Sequence, residues 1–476
     1  MKIVNLLIVS FLIRLISLSQ SFWLDEAISA NVIKNYSFFD IINTFSPQDF
    51  HPPLFYLLLK AWSLVFGTSV IGLRLFSVTA SVLAGLFVYK TAKLLFNHKT
   101  ALWSTALFLF NPLFVYYSQE LRMYSLVTLF LSIATYYYFS LTCHPACPGC
   151  NIGKRSEGPR MVLLFNLFIF LSFLVFYGSI FYIFSLYLLL FIQKKYQLLF
   201  KLLPGFILSL LLLSPLLYRQ IFLSKTLLAD VANWSLVLGK SNLKNLLLIP
   251  LKFSFGRISF YPKSVYYLLS GFWSIFIFKN IFPSRHHQHS QVTSSTSRHC
   301  ERRQAISSFL FLLFFPVFLA FLISFKLPML QYFRYLYLLP IFSIILSASK
   351  SKFVILFGFT ILSLVYLLNT DFHREDWQSL TKSLPQNTTI YMIPSFADPL
   401  NYYRPDIKIS DIRTIAPKNQ SASVLENYSA KKLFVVPYGF DIFGFNHTDF
   451  LSSQNLSYSN TQNFRQISLE TWVTKD

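Results

Sequence analysis

Runs of roughly 18 or more apolar residues, almost free of charge, recur through the first three-quarters of the chain, and each is long enough to cross a bilayer core of about 30 Å. The 476 residues are 54% hydrophobic and only 13% charged, whereas soluble domains carry about 25% charged residues. The chain is therefore read as mainly α, a polytopic membrane protein with about 11 transmembrane helices. They are placed at 3–20, 70–92, 101–117, 122–141, 161–176, 179–192, 200–217, 264–282, 307–325, 333–348 and 352–369. The formal net charge of +22 then belongs to loops that lie against anionic membrane lipid, and no nucleic-acid partner is inferred from it.

The N-terminal stretch MKIVNLLIVSFLIRLISLSQ has the basic start and apolar run of a signal peptide. Bulky Phe22 and Trp23 follow Ser21, however, where cleavage needs small residues. It is read as an uncleaved first helix with a cytoplasmic N-terminus. On that orientation NHKT, GKRSEGPRM, QKKYQ, RHCERRQ and SKSK all face the cytoplasm, and every one is basic. The extracytoplasmic side receives a long loop at 21–69, a second at about 218–263, and everything after about residue 370. From Asp371 the composition changes: HREDWQSLTKSL has a helical period, and TTIYMI and KLFVVPY read as short strands. Two domains follow, a transmembrane one over 1–370 and a small extracytoplasmic C-terminal α/β one over 371–476.

Two cytoplasmic loops, 143–160 and 284–308, hold all 4 cysteines. Cys143, Cys147 and Cys150 have C-x3-C-x2-C spacing, at which thiolates hold an iron–sulfur cluster in radical enzymes that use S-adenosylmethionine. His299 or Cys300 would complete a tetrahedral zinc site. A short loop between membrane helices leaves no room for a barrel around a cluster. Both loops are read as unstructured insertions whose thiols stay free on the reducing side. No cofactor is assigned.

The acidic pair in SFWLDEAISA, Asp25 and Glu26, stands where the first helix leaves the bilayer and does nothing for orientation. The simplest account has Asp25 capping the amphipathic helix that follows. The same loop carries HPPLFYLLLKAW, in which the prolines after His51 fix the start of another helix. NPLFVYYSQELRMYSL brings Gln119, Glu120, Arg122 and Tyr124 to the outer interface, and KLPMLQYFRYLYLLP brings Lys326 and Arg334. Taken singly, each arginine is explained by snorkelling or an aromatic belt. Ionisable residues beside membrane spans are nonetheless expensive, and their agreement on one face marks a functional site.

In order along the chain, WLDEAISA, HPPLFYLLLKAW…FG, GLRLFSV, NPLFVYYSQELRMYSL, QYFRYLYLLP and DWQSL resemble bacterial polytopic glycosyltransferases of the GT-C type. The nearest group is similar to dolichyl-phosphate-mannose–protein mannosyltransferases and the lipid A aminoarabinose transferase. The resemblance is close over residues 1 to about 140 and loose beyond. A Thr-His-Tyr-like element common in the family is replaced by Gly178-Ser179 in FYGSIFYIF, so no role is carried to that position.

The resemblance implies a polyprenyl-phosphate-linked sugar donor and inverting transfer, on the outer side of the membrane, to an acceptor lipid, glycan or protein. It makes Asp25 the general base, with Glu26 positioning substrate or orienting the loop. The departing polyprenyl phosphate needs cations, for which Arg122 and Arg334 are the candidates, backed by Lys326 and His51, with Tyr124 beside them. Adjacent carboxylates also suit a divalent metal, but none is favoured. A transporter or flippase of lipid-linked sugars would call for internal repeats and ionisable residues near the midplane. The sequence instead clusters its charges at the outer interface. A non-catalytic membrane assembly factor is the remaining alternative.

Overall fold

Helices occupy every apolar stretch named above, and a sheet follows them. The structure, a computed structural model, describes residues 2–142, 158–227, 231–233, 238–281, 296–415 and 432–474. The readings for Cys143, Cys147 and Cys150, and for the side chains of His299 and Cys300, lie outside the described residues. Among those described, five helical stretches are long and apolar enough to cross a membrane: Val70–Leu95, Tyr124–Thr142, Gly158–Val175, Tyr196–Leu223 and Gln304–Ile323. Shorter apolar helices, such as Ile3–Ile13 and Lys352–Leu368, pack among them.

Two breaks in this bundle build the site. The first helix, α1 (Ile3–Ile13), stops well short of residue 20, where the sequence suggested one continuous span. At its end the buried Arg14 turns inward and donates to the Leu109 carbonyl at 2.7 Å and the Ser118 hydroxyl at 2.9 Å. Next come α2 (Leu24–Asn35), α3 (Leu54–Phe66) and the long span α4 (Val70–Leu95). The helix expected over 101–117 is in fact two, α5 (His98–Leu109) and α6 (Pro112–Ser118). Pro112 disfavours helical backbone at Asn111. Asn111 instead caps α6, its side-chain oxygen accepting from the Leu113 and Phe114 N–H groups at 3.0 and 3.1 Å. A carbonyl freed inside an apolar bundle needs an internal partner, and Arg14 provides one for Leu109.

The chain does not run straight from α6 into α7 (Tyr124–Thr142). Residues 119–123 form a loop fixed from three sides. The Gln119 amide donates to the Arg14 and Ile16 carbonyls at 2.8 and 2.7 Å. The Leu121 N–H donates to Glu26 at 2.7 Å, and Glu120 accepts from Arg374. Arg122 is thereby set in place by its neighbours.

The C-terminal sheet has the order β2-β1-β3-β5-β4. Its strands are β1 (Thr389–Met392), β2 (Lys408–Asp411), β3 (Lys432–Val435), β4 (Leu456–Phe464) and β5 (Ile467–Thr474). β1 is parallel to β2 and β3, while β5 pairs antiparallel with β3 and β4. β1 and β3 fall in TTIYMI and KLFVVPY. The β4–β5 hairpin turns through Gln466 at φ 62°, a left-handed conformation reached here without the glycine or asparagine that would have announced it.

This domain is strapped to the loop after α1. The Phe22 N–H donates to the Tyr403 hydroxyl at 2.9 Å, the Gln378 N–H to the Ser21 hydroxyl at 3.1 Å, and the Asn31 amide to Asp398 at 2.8 Å. Leu24 packs against the domain's own core, built on Trp377, Ile390, Leu400 and Trp472. Loop 21–69 and the C-terminal domain therefore share one face of the bundle.

Candidate functional site

Asp25 and Glu26 stand in the first turn of α2, whose N-cap is Trp23, with no side-chain capping bond. Capping therefore does not explain the pair. On a helix, adjacent residues point about 100° apart, and these two enter different environments. Glu26 is fully buried and accepts two hydrogen bonds from Arg74, from Nε at 2.9 Å and Nη2 at 2.5 Å. Burial pushes its carboxyl up from the ordinary value, and the Arg74 charge opposes that shift. Arg74 also donates to the Leu18 and Ser21 carbonyls at 3.0 and 3.1 Å, and it lies over the Phe22 ring at 4.9 Å. Glu26 and Arg74 thus hold the turn between α1 and α2. Of the two roles expected for Glu26, its burial leaves loop orientation, because its carboxylate cannot reach a substrate.

Asp25 faces the other way. Its side chain is 33% exposed, and Oδ2 lies 3.4 Å from Nη2 of the nearly buried Arg122. Arg334 lies within electrostatic reach of Arg122, and it has no carboxylate partner among the described residues. The Tyr124 ring lies 5.6 Å from that of Phe333, the residue before Arg334. The result is one accessible carboxylate paired with Arg122, with Arg334 near that arginine and the rings of Tyr124 and Phe333 alongside.

Behind Arg122 sits a second acid. Asp49 accepts from the Tyr56 hydroxyl at 2.8 Å and lies 3.2 Å from His51 Nδ1. Burial pushes the Asp49 carboxyl up, but His51, Arg122 and Tyr56 together hold it below its ordinary value. His51 therefore reaches the cluster through Asp49. Gln220 fixes this turn by donating to the Ser46 and His51 carbonyls at 2.7 and 3.2 Å. Lys326 is exposed at the end of its helix, and its side chain bonds none of these residues.

Several residues here were not singled out from sequence. Arg374 donates to Glu120 at 2.7 Å and covers the Trp23 ring at 3.8 Å. Arg257 approaches the same Glu120 oxygen at 3.6 Å and hydrogen-bonds the Tyr116 hydroxyl. Arg74 lay inside GLRLFSV and Arg374 just ahead of DWQSL. A lone arginine at the mouth of an apolar run was the available signal for the first, and nothing local marked the second.

Residues 50–218 match the profile of a family described as dolichyl-phosphate-mannose-protein mannosyltransferase. Over 98% of its length the chain is similar to ArnT from Cupriavidus metallidurans, solved bound to undecaprenyl phosphate, with 97% of that chain covered, 11% identity and a TM-score of 0.52. It is also similar to an Archaeoglobus fulgidus oligosaccharyltransferase, solved in complex with zinc and sulfate, at 13% identity and a TM-score of 0.50, over 90% of this chain and 67% of that one. No curated protein sequence matches. The fold is that of the polytopic GT-C group named from the outer-face motifs.

Proposed function

We propose that the protein transfers a hexosyl or pentosyl unit from a polyprenyl-phosphate-linked donor to an acceptor hydroxyl, on the outer side of the cytoplasmic membrane. The observation that carries this is the pairing of Asp25, one-third exposed, with Arg122 at 3.4 Å, next to Arg334, which has no carboxylate of its own among the described residues. The undecaprenyl phosphate bound to the similar ArnT and the mannosyltransferase profile over residues 50–218 support the same chemistry.

In the proposed step the acceptor hydroxyl gives its proton to Asp25 while its oxygen attacks the anomeric carbon from the face opposite the phosphate. The bond from that carbon to the phosphate oxygen breaks, and its electron pair leaves with the polyprenyl phosphate. The sugar is inverted. Arg122 and Arg334 meet the phosphate with charge-assisted hydrogen bonds and stabilise the charge that develops on it. Asp49 balances Arg122 from behind, and His51 and Tyr56 fix Asp49. Glu26 acts at a distance, by setting the angle at which α2 presents Asp25.

A divalent ion between Asp25 and Glu26 fits poorly. Glu26 spends its oxygens on Arg74 and Leu121, and among the described residues no three His, Cys, Asp or Glu side chains gather as a metal site. No step is routed through a metal.

The test uses purified protein in nanodiscs with a panel of polyprenyl-phosphate sugars, following release of polyprenyl phosphate. Release should occur for at least one donor and fall when Arg122 or Arg334 is replaced. Movement of intact lipid-linked sugar across vesicle membranes without release would instead establish the transport alternative.

A further inference from the structure

We infer that the protein carries a second anion site, in which Lys252 and Lys263 hold the phosphodiester of an anionic glycerophospholipid of the surrounding bilayer. The site is separate from the Asp25 cluster, and the inference does not depend on the transfer reading.

Two further helices build it, α8 (Leu243–Phe255) and α9 (Lys263–Lys279). Lys252 lies in the last turn of α8, and Lys263 opens α9. Both side chains converge on Tyr266. Lys252 donates to the Tyr266 hydroxyl at 2.9 Å and stands 5.3 Å from the ring centre, while Lys263 stands 5.8 Å from the same ring. Lys263 also donates to the Ser259 hydroxyl at 2.8 Å and covers the Tyr261 ring at 4.3 Å. Neither lysine has a carboxylate partner among the described residues, and neither hydrogen-bonds Asp25, Arg122 or Arg334. Arg257, in the loop between the two helices, approaches Glu120 at 3.6 Å, an acid it shares with Arg374. This loop therefore stands on the face where the C-terminal domain is attached.

Cations gathered in this way repel one another, and a buried charge without a counter-ion is costly. Lys252 is 8% exposed. Burial, with Arg257 and Lys263 nearby, pulls its ammonium down to about 7. An anion between the two lysines relieves both penalties. An ammonium has three hydrogens, and each lysine gives one to a hydroxyl here, so each has donors left for a ligand. A phosphodiester presents two charged oxygens, one for each lysine. Ser259 is exposed and Lys263 only half-buried, so the approach is open and Lys252 forms its floor.

The rest of α9 points to a lipid as the source of the phosphate. Val265, Leu268, Phe272 and Ile275 are all exposed, and residues three and four apart lie on one helical face. α9 occupies the span expected at 264–282, and Lys263 stands at its mouth. An acyl chain attached to a phosphate held there has a continuous apolar track along the helix.

The probes are dioleoyl phosphatidylglycerol and dioleoyl phosphatidylcholine, which share their chains and differ in net charge. Their binding to the delipidated full-length protein in detergent is followed by native mass spectrometry. The wild type should bind phosphatidylglycerol and hold phosphatidylcholine about tenfold more weakly or worse. Lys263→Gln, at a half-buried position, should weaken phosphatidylglycerol binding by about 10–100-fold, the range for a hydrogen bond to a charged group. Lys252→Met keeps most of the side-chain length, removes the charge and should do the same. Lys244→Gln, exposed on α8, should leave binding unchanged. Equal binding of the two lipids, or unchanged phosphatidylglycerol affinity in both Lys252→Met and Lys263→Gln, would overturn the site. An equal loss in Lys244→Gln would reduce the effect to general surface charge and overturn it too. Inorganic phosphate and a short-chain polyprenyl phosphate serve as competitors, and neither should displace the phospholipid at equal concentration. Displacement by inorganic phosphate would contradict a lipid site, and displacement by polyprenyl phosphate would give the lysines to the donor instead.

Discussion

Arg74 clasps Glu26 with two nitrogens, at 2.9 and 2.5 Å, and no part of the Glu26 side chain reaches solvent. The pair joins the start of α4 to the start of α2 across 48 residues of sequence. Asp25, one residue away, is left partly exposed beside Arg122.

Glu26→Gln should damage folding before it damages chemistry. Removing one partner of a buried ion pair strands the other charge and costs about 3–5 kcal/mol. Asp25→Asn should cost less, because Asp25 is one-third exposed and Asp49 still balances the nearly buried Arg122. Thermal unfolding in nanodiscs checks this: a large fall for Glu26→Gln and a small one for Asp25→Asn. Equal stability of Glu26→Gln and the wild type would remove the structural role.

The helical bundle was legible because apolar length is a local property: every expected span holds a helix, although five of the described helical stretches, not about 11, are long enough to cross a membrane. The early end of α1 was not: it goes with Arg14 reaching the Leu109 carbonyl, 95 residues away. The break at Asn111 does have a local signal, the Asn111-Pro112 step. The motif residues Asp25, Arg122, Tyr124 and Arg334 do come together. Periodicity did not separate Asp25 from Glu26, since the partner that buries Glu26 lies in another helix. Lys326 shared their membrane face by topology, but distance along that face is not written in the sequence.

Arg334→Gln should weaken binding of a short-chain polyprenyl phosphate by about 10–100-fold, the range for a hydrogen bond to a charged group. Stability should hold, since no ion pair is broken among the described residues. Titration calorimetry at low and high salt would show it, with the wild-type advantage shrinking as salt rises. Equal affinity for both proteins would take Arg334 out of the phosphate site.

Asp49 should give the fold an acid limb. Its carboxyl is held below the ordinary value in the folded protein. Its contribution is therefore complete above the unfolded pKa of about 3.9 and fades as pH falls through the folded value. Asp49→Asn should be less stable than the wild type near neutrality, and the gap should narrow below about pH 4. Parallel stability curves across that range would contradict the assignment.

Loop 21–69 and the C-terminal domain should both be reached from outside the cell. In intact cells an impermeant thiol reagent should label Asn43→Cys and Asp406→Cys, both at exposed positions, and spare native Cys147 and Cys150. Outside labelling of those native cysteines would invert the topology.

The most direct measurement is the turnover of Asp25→Asn beside its stability and donor binding. Asn keeps the size of the side chain and removes its capacity to take a proton. The variant should fold and bind polyprenyl phosphate as the wild type does, while transfer falls by roughly 10²–10⁴-fold, the share that general-base catalysis supplies. Turnover close to wild type in a folded, donor-binding Asp25→Asn protein would contradict Asp25 as the base.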